Sequence, residues 1–207
     1  MAEATAERRE LADLLAGLRD DQWEAPTLCE RWNVRQLVAH VVSYEELGTA
    51  GLLHRALAGR MLPDRMNAVG VEEYAGRAPA ELVALLREHA RPTGLTAGFG
   101  GGIGLVDTLI HHQDVRRPLG LPRTVPEDRL RFALGFTVTA PTVRGFWNAR
   151  GTRLVATDLD FTTGRGPEAR GPAETVLMTL AGRRGAAEGL EGPGRDRLVA
   201  RHGRVRP

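Results

Sequence analysis

The sequence predicts a mainly α-helical protein: an up-down helical bundle followed by a small C-terminal strand-turn-helix appendage. Three observations lead there. Apolar residues recur at helical spacing through most of the first 150 positions. The breaks between these stretches are short and rich in Pro, Gly and Asp, which favours antiparallel helix neighbours. From Gly151 onward the period changes from 3.6 residues to two. The expected organisation is a bundle over 1–150 and a small αβ extension over 151–207, packed on the bundle.

Leu11, Leu14, Leu15 and Leu18 place a first helix over about 5–18, and Asp20, Asp21 and Pro26 mark its break. Asn33 can cap the next helix, with Gln36 as the reciprocal capping-box partner. Trp32 and Leu37 occupy the hydrophobic-staple positions around that cap. Val34, Leu37, Val38, Val41 and Val42 form its apolar stripe, and the helix is expected to run to about 58, ahead of Gly59 and Pro63. Pro79 opens another helix that carries Leu82, Val83, Leu85 and Leu86 and ends before Pro92. A glycine-rich run, Gly98 to Gly104, precedes a helix of about 103–116 that Pro118 and Gly120 stop. Residues 127–148 form a further helix, with a kink expected at Pro141. Val155, Thr157, Leu159 and Phe161 then alternate as in a strand, Gly164, Gly166 and Pro167 mark a turn, and Pro172 sits at the first position of a short helix. The tail after 191 is polar and is expected to be loose at its end.

Composition excludes several chemistries. The chain has 207 residues, is 42% hydrophobic and carries a net charge of +2, enough apolar material for a core. It contains no lysine: all 28 cations are arginine, a bias that fits a GC-rich genome such as an actinobacterium's. Walker A, Schiff-base and kinase-type lysines are therefore absent. No arginine-rich block points to nucleic acid. Cys29 is the single cysteine, so neither an intramolecular disulfide nor a cysteine-rich zinc site can form. The charged start has no apolar signal core, and no stretch approaches the roughly 18 apolar residues of a membrane span. The expectation is a cytoplasmic protein with no membrane association.

Among six histidines, His111 stands out because Asp107 lies four residues before it, on the same helical face. A D-x-x-x-H pair can present a carboxylate oxygen and an imidazole nitrogen to one metal ion. Asp114 shares that face and could hold the imidazole from behind or stay a surface acid. His40 lies at the edge of another helix's apolar stripe, and side-by-side packing would bring it to Asp107 and His111. Such a histidine is more often structural, and the D-x-x-x-H spacing arises readily by chance. His112 projects elsewhere and reads as a surface or packing residue. The glycine run does not match G-x-G-x-x-G, and a flexible loop is the better reading.

Three segments carry a family resemblance. LCERWNVRQLVAHVV resembles the second-helix signature of the DinB-like superfamily, nearest to the mycothiol-dependent maleylpyruvate isomerase family. VDTLIHHQDVRRPLG resembles that family's third-helix motif, and LVATDLDFTTGRGPEARGPAETVLMTLAGR its strand-turn-helix ending. The resemblance implies a DinB-like four-helix bundle holding a divalent metal, commonly zinc, on His40, Asp107 and His111. One position departs: the family's acid is usually Glu, and Asp107 is one methylene shorter.

The resemblance further implies mycothiol or another low-molecular-weight thiol as cosubstrate and a small electrophile as the second partner. The implied function is a metal-dependent thiol S-transferase or isomerase. In that reading Asp114 orients a ligand, and Arg116 or Arg117 meets a substrate carboxylate, although arginines at a helix end are more often simply solvated. The alternative is a non-catalytic DinB-like metal- or ligand-binding stress-response protein. The sequence leaves a homodimer open and does not identify the electrophile.

Overall fold

The computed structural model of the protein describes residues 1–140 and 143–203. The chain divides into two compact units, Met1–Pro122 and Arg123–Pro207. The sequence expectation drew its line at 150 instead. The helix Glu127–Thr139 goes with the second unit because it packs against the helix Ala173–Leu180.

The first unit is built on four helices: α1 (Ala2–Ala16), α3 (Val34–Ser43), α6 (Pro79–Glu88) and α7 (Gly98–Arg116), with a single turn, α2 (Asp20–Trp23), after α1. α1 packs on α6 and α7, and α3 packs on the same two, which closes a ring of four. Inside it lie Leu11 and Leu15 of α1, the α3 stripe, and Leu82 and Leu86 of α6, all fully or almost fully buried. Burying each such side chain contributes roughly 1.5–3 kcal/mol.

The α3 cap forms as its sequence dictates. Asn33 Oδ1 accepts from the Gln36 N–H at 2.9 Å, and Gln36 Oε1 accepts from the Asn33 N–H at 3.1 Å. The helix does not run on to 58. It ends at Ser43, and α4 (Thr49–Ala58) starts afresh. Glu45 explains the break. It turns inward, where Oε1 lies 2.6 Å from the guanidinium of the fully buried Arg8, and it also accepts from the Thr96 hydroxyl and the Thr93 N–H. A buried guanidinium without a counter-charge is costly, and this turn supplies one. α5 (Pro63–Glu73), unforeseen in the sequence, uses Pro63 as its first residue and packs on α3.

α7 includes the glycine run, yet Phe99, Gly100 and Gly101 have φ of 56°, 69° and 92°. The regular helix therefore begins near Gly102, close to the expected start. The φ of 92° at Gly101 disfavours any side chain, and a Cβ there would also press on the Met1 Cα at 3.1 Å.

The second unit comprises α8 (Glu127–Thr139), α9 (Gly145–Asn148), β1 (Arg153–Ala156), β2 (Thr162–Gly164), β3 (Glu168–Gly171), α10 (Ala173–Leu180) and α11 (Arg195–His202). The kink expected at Pro141 lies outside the described residues. Three strands form the sheet, in the order β2-β1-β3, where the alternating pattern marked one. β1 runs antiparallel to β2, with Leu154 opposite Thr163, and parallel to β3, with Leu154 opposite Ala169. β1 stops at Ala156, and its buried face carries Leu154 and Ala156 rather than Val155 and Thr157, with α10 packed on the strand. Pro172 is the N-cap of α10 rather than its first residue, because its ψ of 143° is extended. Asp158 Oδ1 accepts from the Ala173 N–H at 2.7 Å and caps that helix. The tail after 191 forms a helix, and Leu198 and Val199 bury as α11 packs on β3 and α9; its last residues, where looseness was expected, lie outside the described residues. Among the described residues no helix is long and apolar enough to cross a membrane.

Candidate metal centre

His40 stands two turns past the Asn33 cap, at the margin of a stripe that must face the ring's interior. It is accordingly buried, with 5% of its surface exposed. Asp107, His111 and Asp114 follow one another at four and three residues along α7 and so share one face. Because α3 packs on α7, the two faces meet.

The ligand-type atoms of His40, Asp107 and His111 all lie within 4.8 Å of one another. Nε2 of His40 is 3.7 Å and Nε2 of His111 3.5 Å from the same Asp107 oxygen, Oδ1. Both exceed an ordinary hydrogen bond. A four-coordinate ion with bonds of 2.0–2.1 Å sets its ligand atoms about 3.4 Å apart. The arrangement therefore fits a divalent ion with two imidazoles, one carboxylate and a position left open. The Asp107 side chain is 32% exposed while those of His40 and His111 are 7% and 8% exposed, so the centre opens to solvent past the carboxylate.

Electrostatics agree with close convergence. Burial alone would lower the His111 pKa, but the carboxylate of Asp107 and the hydrogen bond to Asp114 outweigh it and raise it to about 9. Burial alone would raise Asp107, yet His111 and His40 hold its carboxyl well below the usual carboxylate range. A metal ion would replace the proton that the cluster otherwise shares.

Asp114 is fully buried and its Oδ2 lies 2.9 Å from Nδ1 of His111. A carboxylate there keeps a proton on Nδ1 and turns Nε2 toward Asp107. Arg116 is engaged elsewhere: its Nε donates to Nε2 of His112 at 2.9 Å, and a second nitrogen donates to the Leu121 carbonyl. Arg117 is the half-buried C-cap of α7. His112 proves to be a core residue with no exposed surface. Accepting from Arg116 on Nε2, it donates from Nδ1 to Glu7 at 2.8 Å. Cys29 is half-buried in the loop before α3.

Two residues of this environment were not singled out as site residues in the sequence. Trp32 stacks on His40 with ring centroids 4.7 Å apart and planes at 29°. Tyr44 meets the same imidazole edge-on at 5.8 Å and donates its hydroxyl hydrogen to Asn67 at 2.6 Å. Trp32 carried a signal, its place just before the cap, but that signal pointed to Leu37.

Residues 4–93 match the family model of the mycothiol maleylpyruvate isomerase N-terminal domain. The match includes His40 and stops short of Asp107 and His111. No curated protein matches the chain. Two crystal structures are similar, one of the mycothiol-dependent maleylpyruvate isomerase and one of a histidine-to-alanine mutant of it. Identities are 18% and 19%, each alignment covers 93% of this chain and 90% of the other, and both TM-scores are 0.63. The fold is thus the one seen in the mycothiol-dependent maleylpyruvate isomerase structures.

Proposed function

We propose, from the premise that residues 4–93 carry the N-terminal domain of the mycothiol maleylpyruvate isomerase family, that this protein is a thiol-dependent isomerase or S-transferase with a divalent metal centre. The observation that carries the reading is the meeting of His40, Asp107 and His111 at one oxygen. The metal would be zinc or a similar borderline ion, held by those three residues, and when bound it supplies a Lewis acid that favours a thiolate at neutral pH. The thiol would be mycothiol or another low-molecular-weight thiol, and the second partner a small electrophile of the maleylpyruvate kind.

The chain's own residues prepare the centre. Asp114 sets the tautomer of His111. Asp107 neutralises part of the cation and leaves an approach on its own side. Trp32 and Tyr44 flank His40 and present apolar ring surface beside it, which limits water there. Arg116 donates from Nε to His112 and from a second nitrogen to the Leu121 carbonyl, which fixes the direction of its side chain.

The test combines metal analysis with turnover. Protein purified without added metal should contain close to one equivalent, and His111→Ala should lose it. Maleylpyruvate should disappear only when both metal and thiol are supplied. Turnover that persists in fully metal-free protein, or that needs no thiol, overturns the reading.

A further inference from the structure

The two imidazoles of the candidate centre are restrained by different means. His111 has a buried carboxylate behind it. His40 lies among rings: the indole of Trp32 stacked on its face, Tyr44 edge-on, and His111 edge-on at 5.0 Å. The χ2 torsion of a histidine has broad minima, so its hydrogen bonds and its packing set the ring plane. A stacked indole restrains that plane, and with it the line along which the Nε2 edge faces Asp107.

The loop that delivers Trp32 is itself tied down. The Thr27 hydroxyl donates to the Trp32 carbonyl at 2.8 Å, and the Trp32 N–H donates to the Cys29 carbonyl at 2.8 Å. The Leu28 N–H donates to the backbone carbonyl of Asp114 at 3.1 Å. Asp114 therefore holds His111 with its side chain and anchors the Trp32 loop with its main chain. A residue needed only to staple the start of α3 could be any apolar side chain packed near Leu37. An indole ring reaches further, to His40, seven residues beyond the cap.

We propose that Trp32 is a positioning residue of the metal centre, aiming His40 as Asp114 aims His111; this rests on the metal reading given above. The stack also favours the loaded state, because an imidazole bound to a cation becomes more positive and the face of an indole attracts positive charge.

Cobalt(II) is the probe. Wild-type protein stripped of metal should bind it, and the bound ion should quench part of the tryptophan emission. Trp32→Phe should lose the larger share of that quenching, since Trp32 is the indole stacked on His40, yet hold cobalt within about threefold of wild type. Trp32→Leu should bind it about tenfold more weakly, as losses behind a ligand generally do, and should show a changed visible cobalt spectrum with helicity retained. Equal affinity and an identical spectrum in Trp32→Leu overturn the proposal. Quenching that is the same in wild type and Trp32→Phe also overturns it, and this decides the matter if Trp32→Leu does not fold. Wild-type protein that takes up no cobalt sinks the metal reading itself, a distinct outcome.

Discussion

The carboxylate of Asp114 lies 2.9 Å from Nδ1 of His111 and has no exposed surface. A buried acid this close to an imidazole does more than pack. It fixes which nitrogen carries the proton and strengthens the other as a ligand. Asp114→Asn keeps the shape and removes the charge. Zinc affinity, measured by competition with a chromogenic chelator, should fall about tenfold or more while the far-ultraviolet circular dichroism stays unchanged. An unchanged affinity would show that the carboxylate is purely structural.

The same cluster makes the metal-free protein sensitive to pH. His111 is raised from 6.5 to about 9 in the fold. Its contribution to stability is full below pH 6.5, declines above that, and is lost as the pH passes through 9. Asp107 is lowered from 3.8, so its contribution is present above pH 3.8 and is lost as the pH falls further. Urea midpoints of chelated protein should therefore drop between pH 6.5 and 9.5. His111→Gln should flatten that drop; a variant with the same alkaline slope as the parent would refute the assignment.

Removing the metal should not unfold the bundle. Leu37 is fully buried among α1, α3 and α6 residues, and the core is complete without an ion. Helicity should survive chelation, whereas Leu37→Ala should cost about 2–5 kcal/mol in denaturant titrations. Loss of helicity in step with loss of metal would instead mark a structural ion.

Arg8 and Glu45 form an ion pair with no exposed side-chain surface. Arg8→Met would leave Glu45 buried and charged, with only neutral donors from Thr93 and Thr96. Stability should fall by about 3–5 kcal/mol, and Arg8→Met with Glu45→Gln together should recover part of it. A double variant as unstable as the sum of the single ones would show the two residues to be uncoupled.

Much of the site was legible in the chain because its determinants are local. Asn33 and Gln36 are three residues apart and start α3 by themselves. Asp107, His111 and Asp114 share a face through helical spacing alone. Other features depend on distant partners. Helix α3 was read as running to 58 because nothing near Glu45 reveals Arg8, 37 positions earlier. His112 could not be decided between a surface and a packing residue, because Glu7, which holds it in the core, is 105 positions away. The buried face of β1 follows from α10, which packs on it later in the chain.

By itself, then, the sequence determined which residues lie on which face of each helix, where α3, α6 and the regular part of α7 begin, and which side chains could serve as ligands. These follow from backbone periodicity, capping and donor chemistry, all of which act over a few residues. Only the tertiary structure decided that the His40 face of α3 meets the Asp107 face of α7, that Trp32 lies on His40, and that Arg116 is taken up by His112. Those outcomes depend on burying apolar stripes and pairing polar groups far apart in the chain, and the energies that select among such pairings arise only when the helices pack.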